Sequence, residues 1–384
     1  MKITSIVVHM VRMPPRREHN WASKMSIPIG HHAIIEISTD EGLTGWGEAP
    51  AGPTWGGSHG KYFGESPETV QAVIDTYFTP VLTGMDPTQI GVVHAAMDKA
   101  TKGNPYAKAA IDIACYDLAG KALDVPVSTL LGGAHRDSIA VAHSLGIMDL
   151  DKCYVEAEQA VAEGARTIKC KTGLDPERDV TLVRELRHRL GDEIDIRVDG
   201  NEGYRSVSEA VEVTRRQEEY RLLLCEEPVV GAVGLSRVAQ KIASPVMADE
   251  SAWNVHDVIE LDRLGAAECI SLYVTKPGGL YRAKQVGDLV GALGMYNDIG
   301  GSIETGIGNA ANLQLGAAVA STSLPSVCPV SQPEGSDGPK IAGVYYLDDL
   351  ITIPFKFEGG RVFVPEGPGL GIEVDRGKLE RYRA

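Results

Sequence analysis

The chain has 384 residues, 43% hydrophobic and 23% charged, which excludes a disordered protein and implies two domains or one barrel with additions. Its 52 acidic and 37 basic residues leave a formal charge of −15, which argues against nucleic acid or an anionic membrane as partner. No apolar run approaches the roughly 20 residues that span a bilayer. The first residues read as a strand rather than a signal peptide, and the six cysteines form no Cys-x-x-Cys pair. A cytoplasmic protein with buried thiols is expected.

In chain order, Ile3–Met13, His32–Thr39 and Leu43–Ala49 have the pattern of an antiparallel meander, its last turn at Asp40-Glu41-Gly42. Helical stretches follow over 67–78, 87–100 and 105–122, so residues 1–130 read as an α+β domain. Short apolar strands then alternate with amphipathic helices. The strands are expected at Ile139–Ser144, Thr167–Lys171, Ile194–Asp199, Leu222–Glu226, Val246–Asp249, Cys269–Val274, Met295–Ser302 and Val327–Val330. Eight such units over 131–345 predict a (β/α)8 TIM-type barrel, with a doubly wound sheet as the competing arrangement. Residues 346–384 are expected to return to the first domain.

Chemistry in a parallel barrel gathers at the C-terminal ends of the strands. Three consecutive strands end in acids: Asp199, Glu226 and Asp249, spaced 27 and 23 residues apart, about one β/α unit each. Any one of them reads as a cap on the next helix. Three in register need a cation, and oxygen-only ligands suit Mg²⁺. One strand earlier, Lys169 and Lys171 share a face, and each ammonium disfavours the charge on the other, so one could serve as a base.

The ordered motifs Lys169-Cys170-Lys171, Val198-Asp199-Gly200-Asn201, Glu226-Glu227-Pro228, Met247-Ala248-Asp249-Glu250-Ser251, Lys276-Pro277-Gly278-Gly279 and Gly301–Gly308 resemble the enolase superfamily, in its mandelate racemase/muconate-lactonising branch. The resemblance runs the length of the chain. It implies a modified barrel under an α+β capping domain, with one Mg²⁺ held by Asp199, Glu226 and Asp249. The implied reaction removes a proton α to a carboxylate through a metal-stabilised enediolate, with Lys171 as base and Lys169 lowering its pKa. Glu304 matches a family glutamate near the substrate carboxylate, and homo-oligomers, dimers or octamers, are implied.

One position departs from the family pattern. The muconate-lactonising subgroup has an acid/base lysine on the sixth strand where this chain has Tyr273. A phenol is a donor before it is a base, so one-base chemistry is expected: dehydration or cycloisomerisation of a small carboxylic acid. Racemisation or epimerisation is the alternative, with Lys276 as a possible second acid/base, although strand periodicity places Lys276 on the opposite face. A catalytically weakened, ligand-binding paralogue is the reading from another class. Two loops, 14–31 and 50–64, are expected to cover the barrel mouth. Trp21 and Trp55 are candidates to line it, and Arg16, Arg17 and Lys24 to attract an anion.

Overall fold

A computed structural model describes residues 1–21, 29–50, 52 and 62–384. The chain opens with an antiparallel sheet in the order β1 (Ile3–Arg12), β2 (His31–Thr39), β3 (Thr44–Pro50). Against it lies the helix Pro105–Leu123, buried from Tyr106 to Gly120. The contact is close because Gly47 of β3 has no side chain: a Cβ there would sit 1.9 Å from the Ala110 carbonyl oxygen.

The second sheet is parallel. Its neighbours run β5 (Ala142–Leu145), β6 (Thr167–Lys171), β7 (Asp195–Asp199), β8 (Cys225–Glu226), β9 (Val246–Ala248), β10 (Cys269–Leu272), β11 (Tyr296–Ile299). Helices follow the strands, and their apolar faces pack on Ile168, Ile196, Val198, Ile270 and Leu272. Two expectations are corrected. The first barrel strand is split: β4 (Ser138–Ala140) turns away to pair with β13 (Arg361–Phe363), which also pairs with β12 (Phe357–Glu358), and only β5 enters the barrel. The expected eighth strand, Val327–Val330, is no regular strand. Ser326 and Val327 bridge the edges instead, through Ser326 N to Ala140 O (2.7 Å), Ala142 N to Ser326 O (2.8 Å) and Val327 N to Ile299 O (3.1 Å). Pro325 and Pro329 flank this stretch and lack the N–H groups a longer ladder would use.

Near its end the chain lies along β1 and β2. Arg12 N donates to Tyr382 O at 2.8 Å, and Arg376 meets Glu36. All six cysteines are free and buried, and no helix among the described residues is long and apolar enough to cross a membrane.

Candidate active site

The register of the parallel sheet aligns the polar strand ends. Lys171 of β6 pairs with Asp199 of β7, and Asp199 with Glu226 of β8. Asp249 follows immediately on β9. Ligand oxygens of Asp199, Glu226 and Asp249 lie within 4.8 Å of one another, and all three residues are buried.

Ammonium groups sit among these acids. Lys169 Nζ is 2.8 Å from both Asp199 Oδ2 and Glu226 Oε2. Lys171 Nζ donates to Asp199 Oδ2 at 2.6 Å and to Asn201 Oδ1 at 2.8 Å. Deeper in the barrel, Arg197 holds Glu226 at 2.6 Å and Asp298 at 2.8 Å. Burial would raise the Asp199 carboxyl, but Lys169 and Lys171 hold it below the usual carboxylate range. Burial likewise opposes the charge on Lys169, and Asp199 and Glu226 outweigh it, so Lys169 stays protonated.

The cations do not balance the acids. The buried carboxyls of Asp199, Glu226, Glu227, Asp249, Glu250 and Asp298 face Lys169, Lys171, Arg197 and Lys276, a deficit of two positive charges when all are ionised. Burial pushes Asp249 up to about 6 and Glu227 up to about 8, and Glu250 well above its ordinary value, with neighbouring carboxylates adding to each. Glu250 Oε2 is buried without a hydrogen-bond partner. Three buried carboxylates with converging oxygen donors fit a hard divalent cation.

The opposite side of the site departs from strand geometry. β10 ends at Leu272, one residue before Tyr273, and residues 275–278 form a turn. The turn carries Lys276 back, so the expectation from strand periodicity is corrected. Lys276 Nζ donates to the main-chain oxygen of Asp249 (2.7 Å) and to its carboxylate, and lies 4.0 Å from the centroid of the Tyr273 ring. The Tyr273 hydroxyl donates to Asp249 Oδ2 at 3.4 Å. Burial, then the negative charge of Asp249 and Glu226, pushes this phenol well above its ordinary pKa, so it is a proton donor rather than a base. Its ring fills the space beside Gly300, where a Cβ would meet Tyr273 Cε2 at 2.0 Å.

Residues 152–378 match the family described as Enolase C-terminal domain-like, and residues 5–132 match Mandelate racemase / muconate lactonizing enzyme, N-terminal domain. Muconate cycloisomerase 1 of Rhodococcus opacus is 32% identical over 100% of this chain and 98% of its own length. The chain belongs to the mandelate racemase/muconate lactonizing enzyme family. N-succinyl-L-Arg/Lys racemase of Bacillus cereus is 29% identical over 99% of this chain and 97% of its own. A solved muconate lactonizing enzyme from Pseudomonas fluorescens, complexed with muconolactone, superposes with a TM-score of 0.89 at 28% identity, covering 100% of this chain and 99% of that one. The protein is accordingly an enolase-superfamily enzyme of the isomerase or lyase type.

In this family member the cavity over the acids is lined by Lys169, Lys171 and Tyr273, and by Trp21, whose ring centroid is 6.0 Å from Lys171 Nζ. Trp55 and Lys24 lie outside the described residues. Glu304 is buried beside the cavity-lining Gly301–Ile303. Its Oε1 accepts from Ser302 N at 3.0 Å, its Oε2 has no partner, and burial pushes it up to about 7. Arg16 and Arg17 are not open to an anion as expected: both are held by Glu156, at 2.8 and 2.6 Å. Sequence reasoning missed His19, Ser144, Tyr106 and Tyr345, which also line the cavity. A histidine inside a mouth-covering loop was the one available signal. The others converge from β5, a capping helix and the last residue of the 131–345 region, which no local spacing relates.

Proposed function

We propose that the protein is a Mg²⁺-dependent enzyme that removes the proton α to the carboxylate of a small carboxylic acid and expels water from the same face, with Lys171 as its base. The observation that carries this reading is the asymmetry of the cavity lining, with Lys171 on one side and the protonated phenol of Tyr273 on the other, where Lys276 is held by Asp249. Asp199, Glu226 and Asp249 would hold the ion, which when bound supplies positive charge beside the substrate carboxylate, where negative charge grows as the α-proton leaves.

Lys171 takes that proton in its neutral form. Lys169, kept charged by Asp199 and Glu226, adds positive potential beside it. The resulting ammonium returns the proton to the departing hydroxide, so water leaves and Lys171 is restored. Tyr273, and Glu304 in its protonated form, donate hydrogen bonds as negative charge develops on the substrate. Trp21 shields Lys171 from solvent, and Trp55 is assigned to the same covering loops. We further propose the division into a capping domain (1–130), a barrel (131–345) and a returning segment (346–384), in a cytoplasmic homo-oligomer, dimeric or octameric as the family resemblance implies.

The second reading is cycloisomerisation, the activity named for the Rhodococcus opacus relative. Racemisation is the activity named for the Bacillus cereus relative, and Lys276, beside Asp249 and Tyr273, is the group that would serve as its second base here. Mass spectrometry after incubation with Mg²⁺, D₂O and a pooled library of carboxylic acids separates these readings. Loss of the mass of water supports the dehydratase; deuterium gained without loss of water supports an isomerase and overturns it.

A further inference from the structure

The segment bearing His19 and Trp21 is fastened to the barrel by charge. Glu156, on the helix Leu150–Ala162, accepts from Arg16 Nη2 at 2.8 Å, from Arg17 Nε and Nη2 at 2.6 Å each, and faces His143 Nε2 at 3.1 Å. Arg17 Nη2 also donates to Ser144 O at 3.1 Å, and its Nη1 to Glu18 O at 2.9 Å. The same Nη1 lies 3.0 Å from His19 Nδ1.

That last contact fixes a tautomer. A guanidinium has donors and no acceptor, so His19 Nδ1 must offer its lone pair, and the proton of the ring resides on Nε2. Burial, then the charges of Arg17 and Lys171, keeps the ring neutral, with Glu156 the opposing charge and His143 a further cation when protonated. Trp21 and Tyr345 pack about the ring at centroid distances of 5.8 and 5.4 Å. Nε2 is the remaining polar atom of a residue 8% exposed that lines the cavity together with Lys171. Trp21 Nε1, two residues on, is buried without a partner.

We propose that His19 is a substrate-orienting residue whose Nε2–H donates to an oxygen borne next to the α-carbon on the Lys171 side of the cavity, the hydroxyl that leaves in the elimination. Glu156 and Arg17 are its positioning residues. The inference rests on the dehydratase reading for the identity of that oxygen, and it selects 3-hydroxy acids over acids bearing an ammonium there. An ammonium has no lone pair to accept and would face Arg17 and Lys171.

The test uses ¹⁵N-histidine-labelled, Mg²⁺-loaded protein. The resonance lost in His19→Phe should show a protonated Nε2 and an unprotonated Nδ1 in the wild type, and Arg17→Met should turn it into a tautomer mixture. A protonated Nδ1 in the wild type overturns the proposal. 3-Hydroxybutyrate should move the Nε2 signal and butyrate should not. His19→Phe should weaken 3-hydroxybutyrate about 3- to 10-fold, the worth of one neutral hydrogen bond, without weakening butyrate. His19→Gln, which keeps a donor, should restore most of the difference. Equal behaviour of the two acids in the wild type, or equal weakening of both, overturns the proposal. Failure of the underlying reading looks different: deuterium would then enter the acid at its α-carbon without loss of water, with the His19 tautomer unchanged.

Discussion

The two sides of the cavity are built by different rules. On the Lys171 side, β6 is a regular strand, so residues two apart share a face and reach the same acids: Lys169 and Lys171 both contact Asp199 Oδ2. On the Tyr273 side, β10 stops at Leu272, and the next polar groups come from a turn that folds Lys276 over the Tyr273 ring. Alternation along a strand forecasts side-chain direction while the ladder lasts and fails one residue beyond it. The regular side holds an ammonium beside an amide oxygen. The irregular side holds a phenol wedged between a lysine and a space that only glycine leaves open.

The contrast can be broken most decisively at Lys171. Lys171→Ala should lower turnover by about 10² to 10⁴, the usual worth of a general base, while calorimetry finds Mg²⁺ affinity retained. An equal fall on Lys276→Ala with Mg²⁺ affinity likewise kept would mean that both sides supply acid/base chemistry. At Tyr273 the expected effect is smaller: Tyr273→Phe should cost about 10- to 100-fold, as for a hydrogen bond to a charged partner. Tyr273→Lys should add a second base and scramble the α-centre, which chiral analysis of the recovered acid detects.

Gly300 tests whether the phenol is held by shape. Gly300→Ala places a Cβ against the Tyr273 ring and should destabilise the protein by about 1–3 kcal/mol in urea unfolding. Tyr273→Ala in the same chain should return most of that loss; additive effects would show that the ring is free to move aside. A pH-dependent effect is expected at Glu304. Burial raises its pKa from 4.5 to about 7, so between those values the folded state binds more protons than the unfolded one. Its contribution is fully present below pH 4.5 and is lost as pH rises toward 7, a tenfold difference in proton affinity being worth roughly 1.4 kcal/mol. Glu304→Gln should flatten that part of the pH–stability curve relative to the wild type.

Much of the architecture was legible because it rests on short-range patterns. The spacing of Asp199, Glu226 and Asp249 marks successive strand ends, and the structure brings their oxygens within 4.8 Å of one another. The meander β1–β3 followed from alternation and one turn signal, within a residue or two at each end. The barrel seam departs from the expectation, since Val327–Val330 has strand composition and yet the bridges beside β5 and β11 are made by Ser326 and Thr322, just before it. Arg16 and Arg17 looked like solvated or anion-seeking charges, because their partner Glu156 lies some 140 residues away in sequence and contacts them only in the folded chain.

The sequence by itself determined the parallel α/β architecture, the three acids and the paired lysines, because strand and helix periods are local properties of the chain. The tertiary structure alone decided the state and aim of those groups. Desolvation and summed charge keep Tyr273 protonated, an early strand end turns Lys276 toward Asp249, and a distant carboxylate fixes Arg17 and with it the tautomer of His19. Electrostatics and burial sum over neighbours that only folding brings together, so no spacing along the chain encodes them.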